Sequence, residues 1–580
     1  MQAEPLTVGA VGNIEPAATA YTERGGLCCA VAGSPRWLEP ALQQTAERHG
    51  HGEALAEAWQ TFGAAFLERV GGAFSFSVVD QGAGKTLLAV DRMGLQNLYF
   101  AASPGNTPVF GATPTDVRRR INGAAEISAQ ALFHYLVFWW IPAPLTIFSG
   151  LRRVLPGQRI LIDHASGQTE ASYYWQMPYD EPSGLDGEGL AALLRERMRA
   201  AVGRCVAQTD PDTIGVFLSG GLDSSTVAGH FGEAAGRPAR TYTIGFAEDG
   251  FDESEYAAAT ARHFGTRHRH YRMTADDFYA SLPEIVRFSP EPFANTSIVP
   301  VYWCARMARE DGITLMLAGD GGDELFAGNS RYAEETIFAH YWRIPTPLRK
   351  LLETALPSSS SFAPLRKARS YVNYAKEPLP DRLLAGNFFS TVRIEDVFCD
   401  DVLHSLDRAG PFDVMRDAYH RTASRDRVQQ MMHLDLKLIL ADGDLPKVNT
   451  ACAAAGVDVR YPFLDDDVVE LAAQIPSGVL MRGNRLRDFF KRSYAGFLAP
   501  ETISKKKHGF GMPTMRWMKE HAGLERLALD SARDFGERGY LRRAFLDRIV
   551  SEYRHATADT HASGMLCDIM FLELWLKAHV

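Results

Sequence analysis

Cysteine is scarce. Seven are scattered over 580 residues, an odd number with no short spacing pattern, which excludes a disulfide framework and fits a reducing cytoplasm. No apolar run approaches the ~20 residues a bilayer span needs; the richest, Leu132 to Ile141, contains His134 and stops at Pro142. Positive charge is not in excess. Lys and Arg total 61 against 70 Asp and Glu, a net charge of −9, so no general affinity for nucleic acid is implied. The start, Met1-Gln2-Ala3-Glu4-Pro5, has neither a basic residue nor an apolar core, and no secretory signal is expected. No internal repeat is found, and the one low-complexity patch, Ser358 to Ser361, reads as a loop. The expectation is a soluble, cytoplasmic chain of two or more domains with ample material for a core, without nucleic-acid or membrane partners.

What is present centres on Val216 to Ser225. Ile214 to Leu218 reads as a buried strand, Ser219-Gly220-Gly221 as a tight turn, and Ser224 onward as the start of a helix. Two glycines let backbone N–H groups approach a phosphate, and the hydroxyls of Ser219, Ser224 and Ser225 add donors. The helix N-terminus favours negative charge. The Gly-Lys-Ser/Thr ending that grips a γ-phosphate is missing, so a pyrophosphate grip is expected, with Asp223 holding a magnesium ion. A second strand, Thr314 to Ala318, runs into Gly319-Asp320-Gly321-Gly322-Asp323-Glu324. Three carboxylates among three glycines repel one another unless a cation or a metal–polyphosphate complex sits among them. Both loops are expected to meet beyond the carboxyl ends of a sheet, where α/β proteins bind ligands.

These motifs resemble the asparagine synthetase superfamily. The resemblance is carried by Leu218 to Ser225, Tyr242 to Phe246 with Phe251 to Ala257, Glu291-Pro292-Phe293-Ala294, Ala318 to Phe326, Val459 to Asp465, and Lys507 to Pro513. It implies an α/β fold: residues 1–180 a β-rich, Ntn-hydrolase-like glutaminase-type domain, residues 188–580 an ATP-pyrophosphatase domain with a parallel sheet and a helical C-terminal half. The linker is placed at 179–187 and a helix at Leu190 to Cys205, with Leu190, Leu193, Leu194 and Met198 on one face. The hairpin Ala73–Asp80 and Thr86–Val90 fits the first domain. Met565 to Trp575 reads as a buried amphipathic helix.

By resemblance the activity is ATP-dependent amide formation through an acyl-adenylate, with ATP and Mg²⁺. Phe217, Ile244 and the Ala318-Gly319 backbone would line the adenosine pocket, Ala318 standing where relatives carry Ser. Ser219, Gly220, Gly221, Asp223 and Ser224 would hold the phosphates, and Asp223 and Asp323 the metal. Asp320 is either the base that accepts the amine's proton or a support behind the magnesium site. Arg487 falls where relatives place a Lys that steadies the phosphorus and the tetrahedral intermediate; Lys491 and Lys447 are alternative cations. Lys447-Val448-Asn449-Thr450 departs from the usual Asp-Arg, which bears on the acyl substrate.

In working glutaminases a Met-Cys-Gly start supplies the nucleophile. Here Val8 stands in its place. Cys28 and Cys29 lie in a predicted strand, Gly26 to Val31, without a free amine, and the glutamine-binding Asn-Gly-Glu is replaced by Ala32 to Trp37. A non-hydrolytic N-terminal domain is therefore expected. Relatives without the cysteine use an amine within the substrate, as β-lactam synthetases and lasso peptide cyclases do, and the length and retained motifs are most like the lasso cyclases. That reading implies a precursor peptide as substrate, with a leader peptidase and a leader-binding protein as partners. The alternatives are an ammonia-dependent asparagine synthetase-like or β-lactam synthetase-like small-molecule ligase, and a non-catalytic nucleotide-binding scaffold.

Overall fold

The computed structural model describes residues 19–101, 108–121, 125–179, 184–207, 209–248, 250–355, 363–505, 511–555 and 560–580. Val8, the serine patch 358–361, four linker residues (180–183) and residues 507–510 of the last motif lie outside them.

Strands β1 (Thr19–Arg24) and β2 (Leu27–Trp37) turn at Gly25-Gly26, and β3 (Val70–Asp80) turns into β4 (Lys85–Val90). After β5 (Tyr99–Ala101), β6 (Val109–Gly111) and β7 (Arg152–Arg153) come β8 (Gln158–Asp163) and β9 (Thr169–Tyr173). They form an antiparallel six-stranded sheet, β1-β2-β3-β4-β8-β9, and a three-stranded one, β6-β5-β7. The segment Ala32 to Trp37, expected to follow a strand, is the second half of β2. It stays paired although it contains Gly33 and Pro35, because β3 meets it with Gly72 opposite Pro35. Gly72 has φ +79°, and a Cβ there would lie 2.8 Å from the Ser34 carbonyl. Period-two alternation sends Cys29 into the core under the helices Pro40–His49 and His51–Phe62, and Cys28 into the opposite layer.

The helix after the linker runs from Gly187 to Val206, longer than Leu190 to Cys205, because Asp186 caps it by accepting from the Gly189 N–H at 2.8 Å. It feeds β10 (Ile214–Phe217), followed by β11 (Arg240–Phe246), β12 (Arg267–Met273), β13 (Leu315–Leu317) and β14 (Asp458–Arg460). All are parallel, in the order β12-β11-β10-β13-β14. The chain builds outward from β10 on one side, then returns to its other side with β13. The ligand crevice of such a sheet lies at that reversal, between the carboxyl ends of β10 and β13. Beyond Ser330 the chain is mostly helical. The last helix, His561–His579, is not amphipathic: Met565, Leu566, Ile569, Met570, Phe571 and Leu572 are buried around its circumference, and Glu573, also buried, pairs with Arg538 at 2.6 Å.

The two halves are fastened by charge. Buried Arg153 pairs with buried Asp442, which also accepts from the Ala143 N–H at 2.9 Å. Arg92 reaches Glu470 at 2.7 Å, and Asp466 accepts from the Gly72 N–H at 2.7 Å.

Candidate active site

After β10 the chain turns at Ser219-Gly220-Gly221 into the helix Leu222–Ala235. Gly220 is required here twice over: its φ is +68°, and a Cβ would lie 2.3 Å from the Ala257 backbone nitrogen. The Ser219 N–H donates to the Ser224 hydroxyl at 3.1 Å, and the two hydroxyls are 3.1 Å apart. Ser225 corrects the expectation of a third phosphate donor. It is fully buried, its hydroxyl 3.0 Å from that of Thr260, so it serves packing.

The loop after β13 presses against this turn. A Cβ on Gly319 would come within 2.8 Å of the Ser224 nitrogen, and one on Gly322 within 2.2 Å of an Asp223 oxygen. Gly328 in turn lies against Asp323. The glycines of the acidic motif therefore admit the two carboxylates to one space. Phe217 ends β10 and Ile244 lies two residues before the end of the neighbouring β11, and Ala318 is buried with its N–H donating to the Arg460 carbonyl at 3.0 Å.

Arg487 joins the two loops. Its guanidinium donates through Nη2 to Asp223 and through Nη1 to Asp323 at 3.3 Å. It is 3% exposed and stacks on the Phe490 ring, 4.4 Å from the centroid. Its backbone has φ +60°, a costly conformation for a side-chain-bearing residue, held by donation from its N–H to Ala327, itself at φ +54°. Lys491, one helical turn on, is lowered from its ordinary value by burial and by the charge of Arg487.

Asp320 lies on the other side of the crevice. Burial raises its carboxyl to about 6, and Lys447 opposes that rise. Asp444 contributes more to it than Asp323, the neighbour singled out from the sequence. Lys447 donates to Asp444 at 2.6 Å. Burial alone would lower its ammonium, but Asp444 and Asp320 hold it above its ordinary value. Glu324, the third carboxylate of the motif, is raised well above the usual range by burial, then by Asp323 and Asp444.

The structure thus gathers Ser219, Gly220, Gly221, Asp223, Ser224, Gly319, Asp320, Asp323 and Arg487 around one crevice. Two residues were missed. Lys505 donates to the Ser219 carbonyl at 3.4 Å and to Glu253 at 3.1 Å, placing a cation behind the phosphate turn. Its signal was the run Lys505-Lys506-Lys507. Asp444 carried none, since it becomes a neighbour of Asp320 only through the ten-residue π-helical stretch Asp435–Asp444. Asn449 accepts from the Tyr461 hydroxyl at 2.7 Å and donates to the Leu95 carbonyl at 3.3 Å, so it braces the two halves.

The donor set fits magnesium brought in with a nucleotide. No group of three or more His, Cys, Asp or Glu poised for a metal exists among the described residues. Asp223 and Asp323 are close enough to share one guanidinium, and Mg²⁺ commonly takes one or two carboxylates and completes its shell with phosphates and water.

Comparison with known proteins agrees with this geometry. Residues 193–577 match the asparagine synthase family model, and residues 38–175 a glutamine amidotransferase domain. The chain is 28% identical to a putative glutamine-hydrolyzing asparagine synthetase of Mycobacterium bovis over 496 residues, 82% of this chain and 72% of that one. It is 24% identical to glutamine-hydrolyzing asparagine synthetase 1 of Bacillus subtilis over 533 residues, 91% and 81% of the two chains. An amidase, chyE, of Penicillium rubens is 25% identical over 357 residues, 57% and 50%. The chain belongs to the asparagine synthase family of ATP-dependent carbon–nitrogen ligases, which form AMP and pyrophosphate.

Proposed function

We propose that this ligase closes a macrolactam in a ribosomally made peptide, joining the peptide's α-amine to an Asp or Glu side chain as lasso peptide cyclases do. The observation that carries this reading is the fate of the thiols in the N-terminal domain. Val8 replaces the glutaminase nucleophile in the sequence. Cys29 is fully buried in the sheet, and burial pushes its thiol up to about 12; burial also raises Cys28. Neither can supply the thiolate that glutamine hydrolysis needs. The nitrogen must then come from an amine, and an amine on the acyl substrate itself arrives at high effective concentration.

In the first step the side-chain carboxylate of the peptide attacks the α-phosphorus of ATP, and pyrophosphate leaves. The Ser219-Gly220-Gly221 turn and Arg487 face the charge that develops there. Mg²⁺, held by Asp223 and Asp323 together with phosphate oxygens, would neutralise the leaving group. In the second step the amine attacks the acyl-adenylate carbonyl, forming the amide and releasing AMP, so the peptide loses one water overall. Asp320, with a carboxyl near 6, is ionised at neutral pH and basic enough to take the amine's proton.

The test incubates candidate precursor peptides with this protein, a leader peptidase, a leader-binding protein, ATP and Mg²⁺, with Asp223→Ala as control. Mass spectrometry should find a peptide lighter by one water, with AMP formed, and neither in the control. The Mycobacterium and Bacillus relatives are named asparagine synthetases, which favours a second reading with aspartate as the acyl substrate; with Val8 in place of the glutaminase nucleophile, free ammonia would then be the amine. AMP formation from aspartate and ammonia, with peptides unchanged, would establish that one instead.

A further inference from the structure

The helix Thr346–Ala355 is mounted with its apolar face outward. Leu348, Leu351 and Leu352 share one face at i, i+3 and i+4, and Leu348 and Leu351 are 53% and 61% exposed. The polar side of the same helix turns inward. Arg349 lies 4.8 Å over the Trp342 ring, and Glu353 accepts from the Tyr341 hydroxyl. The helix Ala363–Ala375, packed beside it, adds exposed Leu365 with the exposed cations Arg366 and Lys367. A contiguous face of leucines turned to water, with half-buried Arg349 and Glu353 on the opposite side, is the mark of a surface that binds something.

The charge identifies its chemistry. Residues 343–376 hold seven Lys and Arg against one acid, Glu353, in a chain of net charge −9. A second copy of the chain is disfavoured, because it would bring two strongly positive faces together. We propose that this pair of helices rests on an anionic membrane surface, with the leucines among the acyl chains and Arg366 and Lys367 at the level of the phosphates. No helix of the described residues is long and apolar enough to cross a membrane; surface contact needs only such a face. The ligase reaction would then take place beside a lipid surface.

The test floats the full-length protein with vesicles of phosphatidylcholine alone and of phosphatidylcholine mixed equally with phosphatidylglycerol. Binding is expected only to the anionic vesicles. It should fall steeply as salt rises from about 0.1 M to about 1 M, where the screening length shrinks from about 10 Å to about 3 Å. The double variant Leu348→Glu/Leu351→Glu should lose on the order of a hundredfold in partitioning while keeping the wild-type circular dichroism and melting curve, since both residues face water. Equal binding to neutral vesicles, or anionic binding untouched by that variant, overturns the proposal. So does a dimer in light scattering that the variant dissolves. Capture on polyglutamate beads without vesicle binding overturns it in favour of an acidic protein partner.

Discussion

Replacing Arg487 with Met tests the site at its most loaded contact. The substitution keeps the stem on Phe490 and removes the charge between Asp223 and Asp323. Taking one partner from a buried pair costs about 3–5 kcal/mol, because the other charge is left without compensation. The side chain of Arg487 is 4% exposed and that of Asp223 20%, but that of Asp323 keeps 38%, so its share is screened. The lower end, about 3 kcal/mol, therefore applies. In a domain of this size that lowers the melting temperature by roughly 3–6 °C. The two carboxylates then lose the guanidinium they share, so Mg²⁺ alone should raise the variant's melting temperature more than the wild type's. Exchange of labelled pyrophosphate into ATP should fall by about 10² to 10³, the usual loss of a group facing developing charge. Differential scanning fluorimetry with and without Mg²⁺ reads the first effect. A variant as stable as the wild type, with no Mg²⁺ response and full exchange, would refute the assignment of Arg487 to the centre of the site.

Gly220→Ala should weaken ATP binding at least tenfold in calorimetry, since the new Cβ would meet the Ala257 nitrogen at 2.3 Å in a backbone at φ +68°. Asp320→Asn should remove the limb of the pH–rate profile that rises through about 6, leaving a slow, flat amide-forming step. The same variant should be the more stable protein above pH 6. The folded carboxyl titrates near 6 against an ordinary value near 4, so what Asp320 contributes is fully present below pH 4 and is lost as pH rises through 6; chemical denaturation at pH 5 and 8 should show the gap opening, up to about 2–3 kcal/mol. Arg153→Met leaves Asp442 buried without its partner, and should cost about 3–5 kcal/mol and loosen the N-terminal half first, measurable as faster backbone hydrogen exchange in residues 143–153.

The parallel sheet and its crevice were legible because β10 and β13 each end in a turn that only glycine can make, and apolar strands followed by such turns have few readings. Arg487 was legible as a position and not as a geometry: nothing in Arg485-Leu486-Arg487 announces a left-handed residue whose guanidinium reaches two loops more than 150 residues upstream. Ser225 was misread because Ser224 and Ser225 are equivalent in sequence, whereas the helix turns successive residues about 100° apart and sends the second hydroxyl to Thr260. Asp444 escaped notice because a π-helical stretch has no hydrophobic period of its own.

Charge balance in the crevice then explains why this set of residues waits for a nucleotide. Asp223 and Asp323 share Arg487, while Asp444 and Asp320 share Lys447. Burial and the neighbouring Asp323 and Asp444 push Glu324 toward its neutral form. Asp223 and Asp323 would hold Mg²⁺ arriving with ATP, and Arg487 would then turn its donors to phosphate oxygens without leaving its seat on Phe490. An Arg suits that exchange better than a Lys would, because its planar fork can serve a carboxylate and a phosphate at once, whereas an ammonium offers a single point of charge. Arg487→Lys should therefore hold much of the stability lost in Arg487→Met. It should nonetheless bind pyrophosphate more weakly than the wild type, a difference read by product inhibition. If the Lys variant matched the wild type in both, the fork would have no role and charge alone would account for the site.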